Sequence, residues 1–136
     1  MKKLVFWLGA FCIGVLCGCS TMGMGRFDPN ALSEVYVKDF DSSEPTRCTV
    51  RDVDLNHSEA HTFFSSRAKP ISYELMNENY PFAPCEIMGT LKYGSVELRC
   101  NWSISATMTG SIQCDETTWY FACDDCEDLF RLERAQ

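Results

Sequence analysis

The chain has 136 residues, of which 46% are hydrophobic, and a formal net charge of −7. This length allows one domain of ordinary size. Because its 12 lysines and arginines form no cluster and face 19 acids, the composition excludes nucleic-acid binding through a basic patch and favours a basic partner.

The first 18 residues have the pattern of an export signal. Lys2 and Lys3 precede an apolar run over 4–16, which is shorter than the ~20 residues of a membrane span. The run ends in Leu-Cys-Gly-Cys at 16–19, which resembles the lipobox of bacterial lipoproteins. The resemblance implies cleavage before Cys19 and acylation of Cys19, not of Cys12 or Cys17. The alternative is an uncleaved helix kept as an anchor, which the small residues at the exit disfavour.

Ser20 follows the modified cysteine. In Gram-negative lipoproteins an aspartate at this place tends to retain the protein in the inner membrane, so the resemblance implies the outer membrane and its periplasmic face. The lipid bilayer is then a partner through Cys19. Cleavage removes two lysines and no acid, which gives the mature chain a formal charge of −9. The predicted organisation is a signal peptide over 1–18, a tether over 19–30 and one domain over 31–136.

Six cysteines remain after cleavage. An even number in an exported chain of this size predicts three disulfides, and six cysteines permit 15 connectivities. The six cysteines are Cys48, Cys85, Cys100, Cys114, Cys123 and Cys126.

The first half of the domain has mixed patterns. Residues 33–40 have the composition of a strand, and residues 41–45 have that of a turn. Residues 46–53 alternate and predict a second strand. Residues 56–67 predict a short helix, with Asn56 or Ser58 as its N-cap. Residues 72–79 are ambiguous between a loop and a second short helix capped by Ser72, and the prolines over 81–84 exclude regular structure.

The second half alternates clearly between apolar and polar residues. Residues 85–93 and 96–104 each put every second side chain on one apolar face, with a turn centred on 92–94. Returning strands follow at 111–114 and 118–123. The predicted fold class is therefore α+β: a small, disulfide-stapled antiparallel meander of about four to six strands with one or two short helices.

Cys100 and Cys114 lie on the apolar faces of neighbouring strands joined by one turn, where opposed Cβ atoms are ~4.5–5.5 Å apart. The pattern predicts a disulfide between them. It leaves open whether Cys123 pairs with Cys126 or whether each reaches Cys48 or Cys85.

Cys123 and Cys126 also form a CxxC motif between a strand and a possible helix over 127–134. Such a motif carries out thiol–disulfide exchange in thioredoxin-like proteins. Only ten residues follow Cys126, too few for the later strands of that fold. The surrounding carboxylates disfavour a thiolate, and zinc would need four ligands. A structural disulfide is the favoured interpretation, with redox activity as the alternative.

His57 and His61 are the only histidines. Their i, i+4 spacing would put two ligand nitrogens on one helix face, but the pattern H-S-E-A-H misplaces the glutamate of a metalloprotease. We expect surface or capping histidines, no catalytic residues, no cofactor and no metal.

The C-terminal half resembles a group of uncharacterised small exported proteins of proteobacteria. The resemblance covers about residues 50–130 and implies no activity. The residues that carry it are 54–57, 63–64, 83–85, 89–91, 100, 102, 104, 109–112, 114 and 120–130. The chain also shares the general build of the small disulfide-bearing lipoproteins that inhibit lysozyme, although no stretch aligns with their inhibitory loop.

The features identified in the sequence concern export, lipid anchoring and disulfide cross-linking. They predict an outer-membrane lipoprotein that binds another protein without catalysis, in the form of an inhibitor or immunity protein. The alternatives are a redox protein acting through Cys123 and Cys126, and a structural component of the envelope.

Overall fold

The computed structural model describes residues 25–130, which form one antiparallel sheet with two short helices. This confirms the predicted α+β class, including the disulfides. The predicted signal peptide over 1–18 and the predicted acylation site at Cys19 lie outside the described residues. Within the described part, no helix has the length and apolar character needed to cross a membrane.

The described residues form six strands: β1 Leu32–Ser42, β2 Lys69–Ile71, β3 Cys85–Tyr93, β4 Leu98–Ser105, β5 Thr109–Cys114 and β6 Thr117–Ala122. Their spatial order is β1-β3-β4-β5-β6-β2. Strands β3 to β6 form the meander that the alternating pattern predicts, and β3 buries every second residue along its whole length.

The helix predicted over 56–67 forms, and the ambiguous stretch 72–79 is helical as well. Helix α1 spans His57–Thr62 and continues as a π-helical turn over Phe63–Arg67. Asn56 caps it, and the Asn56 and Glu59 side chains each accept a bond from the other residue's N–H. Helix α2 spans Tyr73–Asn79, and the Ser72 hydroxyl accepts a bond from the N–H of Leu75.

The strand predicted over 46–53 is wrong. This stretch is a turn followed by a 3-10 helix at Val50–Asp52. Thr49 caps that helix, and the Asp52 carboxylate accepts a bond from the N–H of Thr49 at 2.7 Å. These local bonds satisfy backbone groups that a strand would have to pair with a neighbour. Cys48 is buried but Val50 is 47% exposed, so the apparent alternation has no common buried face.

The turn predicted at 92–94 lies further along the chain. Strand β3 continues to Tyr93, and the turn occupies residues 94–97. Gly94 has a φ of 81°, a conformation that glycine adopts without steric cost. Val96, predicted to begin the next strand, therefore lies in the turn and is 82% exposed.

The core lies between one face of the sheet, which we call the inner face, and the α1 segment. Phe64 is central to it: its ring is 5.1 Å from Phe63, 5.1 Å from Phe121 and 5.7 Å from Trp102 between centroids. Phe130 extends this aromatic cluster, 6.1 Å from Phe63. Edge-to-face contacts of this kind stabilise beyond their buried area.

Residues 25–30, which the sequence assigns to the tether, pack on the domain. The Phe27 ring lies 4.8 Å from Phe121 and 5.3 Å from Trp119. The Trp119 indole N–H donates to the Gly25 carbonyl at 3.0 Å, and the Asp28 N–H donates to the Tyr93 hydroxyl at 2.7 Å. Residues 25–30 therefore contribute contacts to the core that the sequence does not predict for them.

Within residues 25–130, three disulfides cross-link the fold. Cys100 bonds Cys114 across β4 and β5 with a Cα–Cα distance of 4.5 Å, which is the pair the alternation predicts. The connectivity left open by the sequence is Cys48–Cys85 and Cys123–Cys126. All six cysteines are buried.

Candidate functional site

The connection between β2 and β3, residues 72–84, crosses the face of the sheet opposite the core, which we call the outer face. We name this connection the arm. It consists of α2 and the proline-rich stretch 81–84. The Tyr73 ring packs 5.2 Å from Tyr120 of β6, and the Tyr80 hydroxyl donates to Asp124 at 2.7 Å. That bond to a carboxylate raises the pKa of Tyr80. Contacts at both ends of α2 thus hold the arm against the domain.

A groove of about 350 Å³ lies between the arm and the outer face. Its floor carries hydroxyl groups from β4 and β5, with the Ser105 and Thr109 oxygens 2.7 Å apart. Met76 and Tyr80 line it from the arm side. Thr109 is 7% exposed, the only polar residue in the described part that is buried to this degree.

Two carboxylates line the groove from the sheet side. Asp41 of β1 and Glu86 of β3 are directly opposed in the antiparallel register, so both side chains point to the same face. Directly opposed like charges destabilise a sheet. No ion pair within residues 25–130 includes either carboxylate. The two neighbouring carboxylates therefore give the groove a local negative charge and lower the stability of the folded state.

Phe82 lies on the arm at the groove and is 87% exposed, the most of any large hydrophobic side chain described. Pro81 and Pro84 flank it and restrict the backbone on both sides. An exposed aromatic ring on a stiff backbone loses little entropy on binding, which suits an anchor residue in a protein interface.

A second, shallower depression of about 400 Å³ adjoins the groove on the outer face and shares Ser103 with it. Its lining includes Lys38, Asn101 and Gln113. Ser103 and Ser111 join across the strands with their oxygens 3.2 Å apart. Because its lining carries one charge of each sign, Lys38 and Asp39, and no exposed aromatic anchor, this surface is less suited than the groove to a single charged partner.

The CxxC loop lies beside α1. Arg67, at the end of the π-helical turn, donates to the Asp125 carbonyl at 2.7 Å and to the Asp128 carboxylate at 2.8 Å. The hydrogen bond with Arg67 lowers the pKa of Asp128, and the same bond raises the pKa of Arg67. Arg67 thus offsets the acidic run that surrounds the disulfide.

We expect Arg67→Gln to raise the pKa of the Asp128 carboxyl toward its ordinary value. A carboxyl with a lowered folded-state pKa adds stability above its unfolded pKa of ~3.9 and loses it as pH falls through the folded pKa. The variant should therefore be less stable than wild type at neutral pH and approach it in strong acid. NMR titration of Asp128 and urea unfolding across pH measure this; a pH-independent difference would contradict it.

His57 has a structural contact. Its Nδ1 accepts a bond from the N–H of Val37 in β1 at 2.9 Å, and its ring lies 5.5 Å from Tyr36. The bond falls beside an irregularity of β1 at Val37–Asp39. His57 therefore satisfies an edge-strand N–H. His61, with which it was paired as a candidate ligand set, occupies the last turn of α1.

Two groups in the described part bring three potential metal ligands within 4.8 Å of one another. In each group both sulfurs belong to a disulfide, so neither offers the thiolate that zinc prefers. The groups are Cys48, Asp52 and Cys85, and Cys123, Asp125 and Cys126.

Sequence reasoning did not identify the groove. In the sequence, the prolines and phenylalanine over 81–84 indicate only that regular structure ends there. The pairing of Asp41 with Glu86 depends on a strand register across 45 residues. No protein-family model, curated protein or solved structure matches this chain.

Proposed function

We propose that this chain is a non-enzymatic lipoprotein of the bacterial envelope whose domain binds another protein. The groove carries the proposal, since it combines an exposed aromatic anchor at Phe82 with two unneutralised carboxylates on a stapled sheet. Such a surface offers a partner apolar contact and charge without a cofactor.

The lipid anchor is the second part of the proposal. Acylation of Cys19 would attach the chain to the outer membrane, facing the periplasm. The packing of residues 25–30 on the domain supports a short tether, because only residues 20–24 would separate the lipid from the folded part. The mass of the mature N-terminus tests this: a triacylated Cys19 is expected, and an intact Met1 or an unmodified Cys19 would refute it.

An inhibitor or immunity protein is the specific form we favour, acting against a cell-wall-active enzyme in the periplasm. An acidic recognition surface speeds association with a basic target and depends on salt. A structural envelope component is the second form. It would bind a resident protein, whereas an immunity protein would bind a secreted toxin.

Thiol–disulfide exchange at Cys123 and Cys126 is the enzymatic alternative. Both residues are nearly inaccessible, at 3% and 0% exposure, and carboxylates adjoin them in sequence. Exchange requires access to a sulfur and a stabilised thiolate. This setting favours a structural bridge.

Capture from envelope extracts tests the proposal, using the full chain purified in detergent. A specific partner recovered at low salt, together with no insulin reduction beyond that of a Cys123→Ser/Cys126→Ser variant, is expected. Insulin reduction that this variant lacks, with no partner recovered, would reverse the assignment.

A further inference from the structure

We infer that the groove under the arm accepts a lysine or arginine side chain from an exposed loop of the partner protein. The inference rests on the proposed protein-binding function and specifies its site and the chemistry of its partner. It depends on charge, shape, the placement of Phe82 and the position of the groove relative to the tether.

Charge is the first argument. The described residues that line the groove include Asp41 and Glu86 but no lysine, arginine or histidine. A cation entering here meets two carboxylates on one side and the hydroxyl oxygens of Ser103 and Ser105 on the floor. A guanidinium or ammonium group donates to both kinds of acceptor. The mature charge of −9 adds long-range attraction.

Shape limits the size of the occupant. At about 350 Å³ the groove lies near the lower end of the ~300–1,000 Å³ typical of ligand pockets. It can take one or two long side chains but not a whole helix. A loop that projects such a side chain from a folded partner fits this volume.

Phe82 supplies the apolar part of the contact. Its ring borders the groove, where it can lie against the methylene stem of the incoming side chain or against its charged head. Leu75 and Tyr73 of α2 are 42% and 52% exposed and extend the apolar surface along the arm. The groove thus combines a hydroxyl floor and two carboxylates on the sheet side with a largely apolar arm side.

The groove and the first described residues lie on opposite faces of the sheet: Phe27 packs against Phe121 on the inner face, and the groove lies on the outer face. Gly25 and Phe27 pack near Tyr93 and Trp119, at the end of the sheet where β3 finishes. The groove lies at the opposite end, near Cys85, where β3 begins. Nine residues of strand separate these ends by about 26 Å. The point where the described chain begins therefore leaves the groove uncovered.

Strand addition at the sheet edges is a weaker candidate. Edge strand β1 is interrupted by two irregularities, and His57 already accepts the N–H of Val37. The other edge, β2, has only three residues and includes Pro70. Bulges, short edge strands and prolines are the features by which sheets avoid additional strands.

NMR titration of the full chain in detergent micelles tests the inference. The probe is a disulfide-closed loop peptide with arginine at its tip, and its control carries citrulline, which has the same shape without the charge. We expect shifts confined to amides around Ser43, Phe82, Glu86 and Thr109. We expect affinity about tenfold or more lower for citrulline and for Asp41→Asn/Glu86→Gln, because charged hydrogen bonds are lost.

Asp115→Asn/Glu116→Gln is the matched control. It removes the same two charges from the turn between β5 and β6, at the tether end, and should weaken binding less than about threefold. Phe82→Ala changes a highly exposed residue and should fold normally while reducing affinity. Equal losses in the two charge variants, shifts centred elsewhere, or no saturable binding would each overturn the inference.

The capture experiment distinguishes failure of this inference from failure of the proposed function. If Asp41→Asn/Glu86→Gln and Phe82→Ala still retain the envelope partner at wild-type levels, the protein binds a partner through another surface and the inference is wrong. If wild type retains no partner, the proposed function itself is wrong.

Discussion

Replacing Gly89 by alanine should cost about 3 kcal/mol or more of unfolding free energy. Gly89 lies in β3 between β1 and the Trp102 ring. A Cβ at this position would overlap the backbone carbonyl oxygen of Tyr36 and lie 2.7 Å from Cζ2 of Trp102. The backbone of β1 cannot move without disturbing the register, and Trp102 is held by its N–H bond to the Thr90 carbonyl at 3.0 Å. Urea unfolding measures the loss.

Gly94→Ala is the control for this effect. A Cβ there meets nothing within 4 Å, although the φ of 81° makes a side chain unfavourable. That variant should lose only about 1 kcal/mol, from conformation alone. If the unfolding free energy of Gly89→Ala lies within about 0.5 kcal/mol of the wild-type value, Tyr36 and Trp102 do not approach Gly89 as closely as the structure indicates.

Removing disulfides should destabilise the protein in the order of the loops they close. The sequence separations are 37 for Cys48–Cys85, 14 for Cys100–Cys114 and 3 for Cys123–Cys126. Chain-entropy arguments then give losses of about 4, 3 and 1.5 kcal/mol for the paired alanine variants. Thermal and urea unfolding of the three variants measure this order.

The three pairs serve as controls for one another. Every cysteine concerned is 4% exposed or less, so each variant leaves a comparable cavity and the differences reflect the loops. If removing Cys123–Cys126 costs as much as removing Cys48–Cys85, the CxxC bridge has a structural importance that its short loop does not explain.

The meander was predictable because its information is local. Strands β3 to β6 follow one another through short turns, and each buries alternate residues against the same core. The alternation therefore determined the face of each strand and placed Cys100 opposite Cys114. Local sequence likewise narrowed the cap of α1 to Asn56 or Ser58 and offered Ser72 as the cap of a second helix, because capping depends on the next few residues.

The features that the sequence mispredicts or does not predict depend on contacts between distant residues, or on competition between alternative local hydrogen bonds. The stretch 46–53 alternates like a strand, but Thr49 caps a helical turn there and Asp52 accepts a bond from the Thr49 N–H. The sequence assigns Phe27 to the tether because its contacts, Tyr93 and Trp119, lie far along the chain. Local pattern contains no information on such contacts.

The candidate site was hidden for the same reason. Asp41 and Glu86 are ordinary surface acids in the sequence, and only the β1–β3 register makes them neighbours. Arg67 is similarly unremarkable until the fold places it beside Asp125 and Asp128. Binding surfaces assembled from several strands and a crossing connection leave no contiguous motif.

Photo-crosslinking in intact cells tests the central claim, that this domain binds a protein partner through the groove. A benzoylphenylalanine at position 82 would report on the groove, and one at position 96, in the turn between β3 and β4, would report on the opposite end of the sheet. The two native side chains are similarly exposed, at 87% and 82%. We expect one discrete protein adduct from position 82, none from position 96, and loss of that adduct when Asp41→Asn/Glu86→Gln is added. An adduct from position 96 alone, or the same adducts from both positions, would contradict the account.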